Sequence, residues 1–457
     1  MVTKIVVIGM GYVGIPAAAL LADVDGFEVT GIQRRSKRSG WKIDMLSRGQ
    51  NPIKGHEPGL AELIERVVRK KKSFSVTDNY GPVKDADYIL IDVQTPTDEC
   101  HVPQYVSLKD VSAIVGKTLK KGATVVIEST CAPGTTDHIV KPILEKNSGM
   151  KAGKDFHLAF SYERVMVGRL LHNIINYPRI VGGIDPASTK KAMWLYQHIV
   201  KAGVKPTDAL TAEVSKTVEN SYRDVNIAFA NEVALICEAL GVDVYEVRGF
   251  VNNLPNDPSN PGSNPYRNMH FPGAGVGGHC LPKDTWLLKY GLDRYGKLKI
   301  KPKVLTESRA INDFMPMHMK DLLFEALKRK KITPKKARVC ILGYAFLEDS
   351  DDTRNTPALP LYKSLKAKCG EVAVHDPYVT DEEGVPITHD LEKALKGKDA
   401  VVLVTKHHDY LGLSFEKMGK LLRTKILIDG RNVFDPEKAV SKGFVYRGVG
   451  KGKDNGN

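Results

Sequence analysis

The run Gly273-Ala274-Gly275-Val276-Gly277-Gly278-His279-Cys280-Leu281-Pro282-Lys283-Asp284 sets one cysteine behind a crowd of glycines, with a histidine and a lysine close by. Glycines let a backbone approach a ligand closely. His279, Lys283 and the start of a helix should lower the pKa of Cys280 and make it a thiolate, the nucleophilic form. The usual fate of an intracellular cysteine is that of a small buried hydrophobe. Cys237, on the apolar side of its helical pattern, fits that description, and Cys280 does not. Lys216 and Asn220 stand four residues apart and Arg223 three further, so the three share a helical face. Turned into a cleft, a lysine and an amide can stabilise a developing oxyanion; turned outward, they are a solvated face. His407-His408-Asp409 offers no metal site, because adjacent residues on a strand or turn point in different directions.

A second constellation opens the chain. Gly9-Met10-Gly11-Tyr12-Val13-Gly14 leaves a strand and enters a helix. In such a GxGxxG, Gly9 permits the tight turn and Gly11 lets the backbone approach a pyrophosphate. Gly14 lets helix and strand pack closely, with the phosphates at the helix N-terminus. The second strand ends Ile32-Gln33-Arg34-Arg35-Ser36 and lacks the carboxylate that usually accepts from the ribose of NAD. Arg34 and Ser36 could hold a 2′-phosphate, which would mean NADP. Equally, Gln33 could bond the ribose and leave the arginines exposed.

These residues need a scaffold, and the apolar pattern outlines one. Strands at 4–9, 28–33, 88–93, 124–129 and 157–161 alternate with helix-length segments, which predicts a parallel sheet covered on both faces. One long helix runs from about 208 to 245, ending near Gly241, with Val214, Val218, Val225, Phe229, Val233 and Ile236 on an apolar stripe. A loop rich in Asn, Pro, Gly and Ser follows from about 252 to 278, long enough to imply function. Strands at 338–343, 372–375, 399–404 and 426–429 then repeat the first part's grammar without a GxGxxG. The fold class is α/β, with two Rossmann-like doubly wound domains joined by a long central helix. The domains are a dinucleotide-binding part (1–205), a central helical part carrying the cysteine loop (206–325) and a second α/β part (326–457). The polar tail from 451 to 457 is expected to fray.

Length and composition agree with a multi-domain globular chain of 457 residues, 42% hydrophobic and 26% charged. No stretch is apolar enough to span a membrane, and the first strand leaves no room for a signal peptide. The six cysteines form no CxxC pair, which fits a reducing cytosol. The net charge of +14 raises the question of nucleic acid. The basic runs at 69–72 and 328–331 close helical patterns, carry no interleaved aromatics and match no nucleic-acid module, so no such partner is expected. A positive field would also attract an anionic nucleotide.

Taken together the motifs resemble the UDP-glucose/UDP-N-acetylmannosamine dehydrogenase family over nearly the whole chain. They are the N-terminal GMGYVG; Glu128-Ser129-Thr130 followed by Pro133-Gly134-Thr135-Thr136; Glu163-Arg164-Val165; Lys216 with Asn220; 277–284; Asp352-Thr353-Arg354 before Thr356-Pro357-Ala358; and Asp429-Gly430-Arg431-Asn432. The resemblance implies two successive oxidations at C6 of a UDP-sugar with two NAD molecules. Cys280 would trap the aldehyde as a thiohemiacetal and then carry a thioester, and Glu163 would assist water in hydrolysing it. Lys216 and Asn220 would bind the reacting oxygen; Asp284 and Thr130 would orient water and move protons. Gly9, Gly11, Tyr12, Val13, Gly14, Gln33, Arg34, Thr95, Thr130 and Arg354 would contact the cofactor. The substrate would meet Glu163, Arg164, Val165, Lys216, Asn220, Arg223, Arg267, Gly277, Phe346 and Arg431. The resemblance also implies a homodimer through the central helix.

Two positions depart from the family pattern: Gln33-Arg34 replaces the acidic ribose ligand, and Leu347 stands where many relatives carry lysine. His279 before the cysteine looks like the N-acetylhexosamine enzymes, which favours UDP-N-acetylmannosamine, then UDP-N-acetylglucosamine, then UDP-glucose. Cys131, beside Thr130, is the rival nucleophile. Other readings are a nucleotide-sensing Rossmann binding protein, with an inert Cys280, and a dehydrogenase of the 3-hydroxyacid or 6-phosphogluconate type, which needs neither a cysteine nucleophile nor a second α/β domain.

Overall fold

The computed structural model describes residues 2–37, 39–53, 55–253, 259, 268–380, 382 and 384–452. The chain divides into two compact units, Met1–Glu219 with Trp286–Ile300, and Asn220–Thr285 with Lys301–Asn457.

The first unit is built on an eight-stranded sheet in the order β3-β2-β1-β4-β5-β6-β7-β8 among the described residues. Its strands are β1 (Thr3–Ile8), β2 (Phe27–Ile32), β3 (Phe74–Thr77), β4 (Tyr88–Ile91), β5 (Thr124–Ile127), β6 (His157–Phe160), β7 (Arg179–Gly183) and β8 (Val204–Asp208). Every side chain of β1 from Ile5 onward is buried, and alternate residues enter different cores. Ile5 and Val7 pack on one face, Val6 and Ile8 on the other. Such two-sided burial is why the strand reads as a continuous apolar run. Val7 lies opposite Gly31 of β2 and Leu90 of β4 in parallel register. The expectation of a wholly parallel sheet needs one correction. β6 and β7 run antiparallel, with Ala159 opposite Gly183, and β7 and β8 are strands the apolar pattern did not reveal. β8 carries Pro206, tolerated because the strand is an edge.

In the second unit six parallel strands among the described residues take the order β11-β10-β9-β12-β13-β14. They are β9 (Arg338–Leu342), β10 (Glu371–His375), β11 (Ile387–Thr388), β12 (Ala400–Leu403), β13 (Ile426–Asp429) and β14 (Val445–Gly448). Val339 and Ile341 face one core, Cys340 and Leu342 the other. The order reverses between β9 and β12 as it does between β1 and β4, and ligands of open α/β sheets bind beyond the strand ends at that switch. Gly9 and Gly343 occupy corresponding places there, with φ of 113° and 85°. A Cβ at Gly9 would fall 1.8 Å from the Asp92 carbonyl oxygen, and one at Gly343 2.5 Å from Thr405 Cβ.

The long helix, Ala209–Leu240, forms as expected, and the face it buries within the chain lies mainly outside the apolar stripe. Ala212, Glu213, Lys216, Thr217, Ser221, Asp224, Ala228, Asn231 and Ala234 are buried, while Val218, Phe229 and Ile236 are exposed. Within the second unit several of the buried polar groups bond to one another, although Asp224 Oδ2 and Arg309 Nε have no hydrogen-bond partner. Arg309 pairs with Asp224 at 2.5 Å, Asn312 donates to Asp224, Asn231 donates to Asn312, and the Gly273 amide donates to Asn231. Fraying is expected from position 451, but Lys451 is held in place. Lys451 holds Asp243 at 2.7 Å, and 453–457 lie outside the described residues.

Candidate active site

In the first unit the glycine turn has the shape a dinucleotide requires. A Cβ at Gly14 would stand 1.9 Å from the Gly9 carbonyl oxygen, so only glycine lets the helix Gly14–Ala22 start there. At Gly11 a Cβ would meet no protein atom within 4 Å, leaving open space over the turn where diphosphate can approach. Tyr12 and Val13 are half-buried beside it. Asp92, which the sequence reading passed over, accepts the Gly14 amide. Lost hydration, then the charge of Glu128, raises its pKa to about 8, so it presents a neutral carboxyl under the phosphate turn.

At the end of β2 Gln33 is engaged within the protein. Its Oε1 accepts the Met10 amide at 3.0 Å and its Nε2 donates to Ser39 at 3.1 Å. Arg34 is exposed, and Ser36 shares a 2.8 Å hydrogen bond with Ser39. The loops after β4 and β5 are stitched together, Thr95 donating to the Thr130 carbonyl at 2.5 Å and Ser129 to the Val93 carbonyl at 2.7 Å.

Glu213 is a second residue the sequence did not flag. It accepts the amides of Gly134 at 2.6 Å and Thr136 at 2.8 Å and the Thr136 hydroxyl at 2.6 Å, and burial raises its pKa to about 7. Cys131 also donates to it and is wholly buried, which leaves that thiol badly placed as a rival nucleophile.

Lys216 is buried in this unit, donating to the Glu163 carbonyl at 3.0 Å with its ammonium 5.3 Å from the Tyr162 ring centroid. Arg164 is tied to Glu219 at 2.7 Å and to the Pro178 carbonyl at 2.6 Å, and Val165 packs on the core. The Glu163 carboxylate is only 8% exposed and is ion-paired with Arg179.

In the second unit Cys280 stands immediately before the helix Leu281–Tyr295, its carbonyl accepting the amides of Lys283 and Asp284 at 3.0 and 2.9 Å. Its thiol is partly exposed and 3.4 Å from His279 Nε2. The expected cationic flank is corrected here. Lost hydration, then Arg354 and Lys283, draw the His279 pKa down to about 4, so its ring is neutral at neutral pH. Lys283 is itself paired with Asp284 at 2.9 Å. The amide end of the helix is a group that favours a thiolate.

The glycines before Cys280 admit protein as well as any ligand. A Cβ at Gly277 would lie 2.4 Å from Phe346 Cβ, one at Gly278 2.9 Å from the Phe346 ring, and one at Gly273 2.5 Å from the Arg431 guanidinium. Gly278 has φ of 86°, and its amide and carbonyl bind the Arg354 carbonyl at 2.8 Å and the Asn355 amide at 2.9 Å. Phe346, Arg354 and Arg431 therefore set the cysteine turn from beyond β9 and β13. Arg431 also donates to the Val404 carbonyl at 2.8 Å, and Arg354 pairs with Asp352. Asn220 donates to the fully buried Asp284 at 2.5 Å, and Arg223 is exposed. Arg267 lies outside the described residues. Among the described residues no group of three His, Cys, Asp or Glu could hold a metal ion, and no helix is long and apolar enough to cross a membrane.

Comparison with known proteins gives three consecutive matches to one family, described as UDP-glucose/GDP-mannose dehydrogenase. Its NAD-binding domain matches residues 3–200, its central domain 210–314 and its UDP-binding domain 340–436. UDP-N-acetyl-D-mannosamine dehydrogenase of Pyrococcus horikoshii is 38% identical over 98% of this chain and 99% of its own length. A crystal structure of NDP-N-acetyl-D-galactosaminuronic acid dehydrogenase from Methanosarcina mazei Go1 has a TM-score of 0.90 at 45% identity, covering 100% of this chain and 97% of that one. That of UDP-D-ManNAc dehydrogenase from P. horikoshii has a TM-score of 0.88 at 38% identity, covering 99% and 100%.

Proposed function

The chain belongs to the UDP-glucose/GDP-mannose dehydrogenase family of NAD-dependent nucleotide-sugar oxidoreductases, and from that premise we propose that it oxidises the C6 alcohol of a UDP-N-acetylhexosamine to the carboxylate, UDP-N-acetylmannosamine first. The observation that carries this reading is the placement of Cys280, partly exposed at a helix start. Cys131, Cys237 and Cys340 are buried, and burial raises the Cys369 thiol to about 11. Relatives named for N-acetylmannosamine and N-acetylgalactosaminuronic acid support an N-acetylated sugar, as does His279 before the cysteine.

Bound in the first unit, the nicotinamide supplies a hydride acceptor for each oxidation. Lys216 and Asn220 hold the reacting oxygen, and Asp284 and Thr130 handle the protons released. Sγ of Cys280 bonds to the aldehyde carbon as a thiohemiacetal, which keeps the half-oxidised sugar on the protein until the second oxidation makes it a thioester. Glu163 then takes a proton from water, which adds to the carbonyl carbon, and the C–S bond breaks. Phe346, Arg431 and Arg267 hold the nucleotide, while Glu163, Arg164, Val165, Arg223 and Gly277 line the sugar. We further propose that the enzyme works as a homodimer joined along the long helix, whose Tyr222, Phe229, Ile236 and Leu240 are all exposed.

The test is a panel of UDP-N-acetylmannosamine, UDP-N-acetylglucosamine and UDP-glucose with NAD and NADP, counting reduced cofactor per sugar. Two equivalents per N-acetylhexosamine are expected, and Cys280→Ser should abolish completion. One equivalent, or a Cys280→Ser enzyme that still yields the uronate, overturns the proposal.

A further inference from the structure

The partner of Glu163 had no signature in the sequence. Arg179 opens β7, is 3% exposed, and its guanidinium holds two carboxylates at once. It forms an ion pair with Glu163 and donates to Glu128 at 2.5 Å. It also donates through Nε to the Ser161 hydroxyl at 2.7 Å and lies 3.7 Å from the Tyr196 ring centroid. The Tyr196 hydroxyl donates to Glu128 at 2.8 Å. Glu128 alone would neutralise a buried arginine. A second carboxylate, on a cleft shared with Tyr162, Arg164 and Asn173, is what a purely structural role leaves unexplained.

We infer that Arg179 is a positioning residue for Glu163, holding its carboxylate ionised and aimed while Glu128 absorbs part of the cation's field. The inference rests on the reading of Glu163 as the group that activates water. In that step the water oxygen bonds to the thioester carbon, its proton passes to the Glu163 carboxylate, and the C–S bond breaks to release the Cys280 thiolate. A carboxyl removed from water prefers its neutral form, which cannot accept that proton. An unshared arginine would instead hold the proton off, and a general base works best with a pKa close to the operating pH. One cation divided between two carboxylates meets both demands.

The other titratable groups around Glu163 and Arg179 are the Lys216 ammonium on the Glu163 carbonyl, Arg164 with its partners Glu219 and Tyr162, the Tyr196 phenol on Glu128, and Asp92, whose pKa the charge of Glu128 helps to raise. All are retained in the variants that follow.

The experiment uses the full chain with NAD and whichever UDP-sugar of the panel it turns over, from about pH 5.5 to 9, reading steady-state rate and the mass of any sugar adduct on Cys280. Glu163→Gln should accumulate the adduct at every pH. Arg179→Met should slow its breakdown at neutral pH at least about tenfold, out of the roughly 10²–10⁴-fold a general base supplies. The acid limb of its rate profile should move up by about one pH unit or more. Arg179→Lys should fall between Arg179→Met and the parent enzyme, and Glu128→Gln should move the limb down. Opposite displacements are not what loss of a structural contact produces. Arg179 and Glu128 variants with the parent pH profile and no adduct, beside a Glu163→Gln that accumulates it, overturn the inference. A Glu163→Gln enzyme without adduct overturns the reading of Glu163 itself. If Arg179→Met does not fold, the displacements in Arg179→Lys and Glu128→Gln decide.

Discussion

At the end of β2 the side chain of Gln33 is committed to the Met10 amide and to Ser39, so the residue standing where relatives place a ribose-binding carboxylate serves the turn itself. Arg34 is the exposed cation beside it. The family's cofactor is NAD, and tolerance of NADP would have to be carried by Arg34. Arg34→Ala should then raise KM for NADP by the loss of one charge-assisted contact, about 1.5–3 kcal/mol, and leave KM for NAD nearly unchanged. An unaltered NADP/NAD ratio of kcat/KM in that variant would show that Arg34 does not read the phosphate. Spacing alone exposed the glycine turn and Cys280, because each is confined to a dozen residues. Asp92, Glu213 and Arg179 escaped notice for the opposite reason. An acidic or basic residue in a string of letters looks solvated, and only the fold brings Arg179 to Glu128 across 51 positions. The neutrality of His279 was illegible for the same reason, since the lost hydration that draws its pKa down, and the Arg354 charge that adds to it, arise only where the fold brings distant parts of the sequence together.

Elements were legible in proportion to how apolar and how central they are. β1, β4 and β5 are buried on both faces and read as unbroken runs. β3, β7 and β8 lie toward the margin of the sheet and mix polar residues, proline or glycine into the pattern, so no unbroken apolar run reveals them. The turn after β5 shows what an element-level assignment misses. Two of its amides and one hydroxyl depend on Glu213, which arrives from the long helix. The Glu213 pKa is raised by burial to about 7, so the folded protein keeps its proton at pH values where the unfolded chain has lost it. Stability from this group is full below the ordinary glutamate range and declines as pH rises through that range to about 7. Glu213→Gln is neutral at every pH and should abolish that decline, while lowering Tm overall through the acceptor it removes. Calorimetry between about pH 5 and 7.5 measures it. A variant whose Tm falls with pH as steeply as the parent's would refute the assignment.

For the molecule as a whole, the apolar stripe on the long helix is expected from the sequence to be buried between two copies around Val225, Phe229 and Val233; of these Phe229 is exposed and the two valines are half-buried within the chain. Inside the chain the helix is packed through alanines, amides and a buried aspartate. Outside it leaves Tyr222, Phe229, Ile236 and Leu240 exposed by 70, 55, 50 and 72%. Their spacing of seven, seven and four residues keeps them on one side of an α-helix. A contiguous apolar row is what a self-complementary interface requires, since under two-fold symmetry each copy offers the same row to the other. Burying one such aromatic contributes roughly 1.5–3 kcal/mol, and symmetry counts it twice. The dimer should therefore be obligate at working concentrations. Phe229→Glu places two like charges on the interface and should yield monomers by light scattering, with loss of activity where the monomer does not hold its fold. A parent chain that is monomeric, folded and active at micromolar concentration would remove the dimer from the proposal, and the exposed row would then need another occupant.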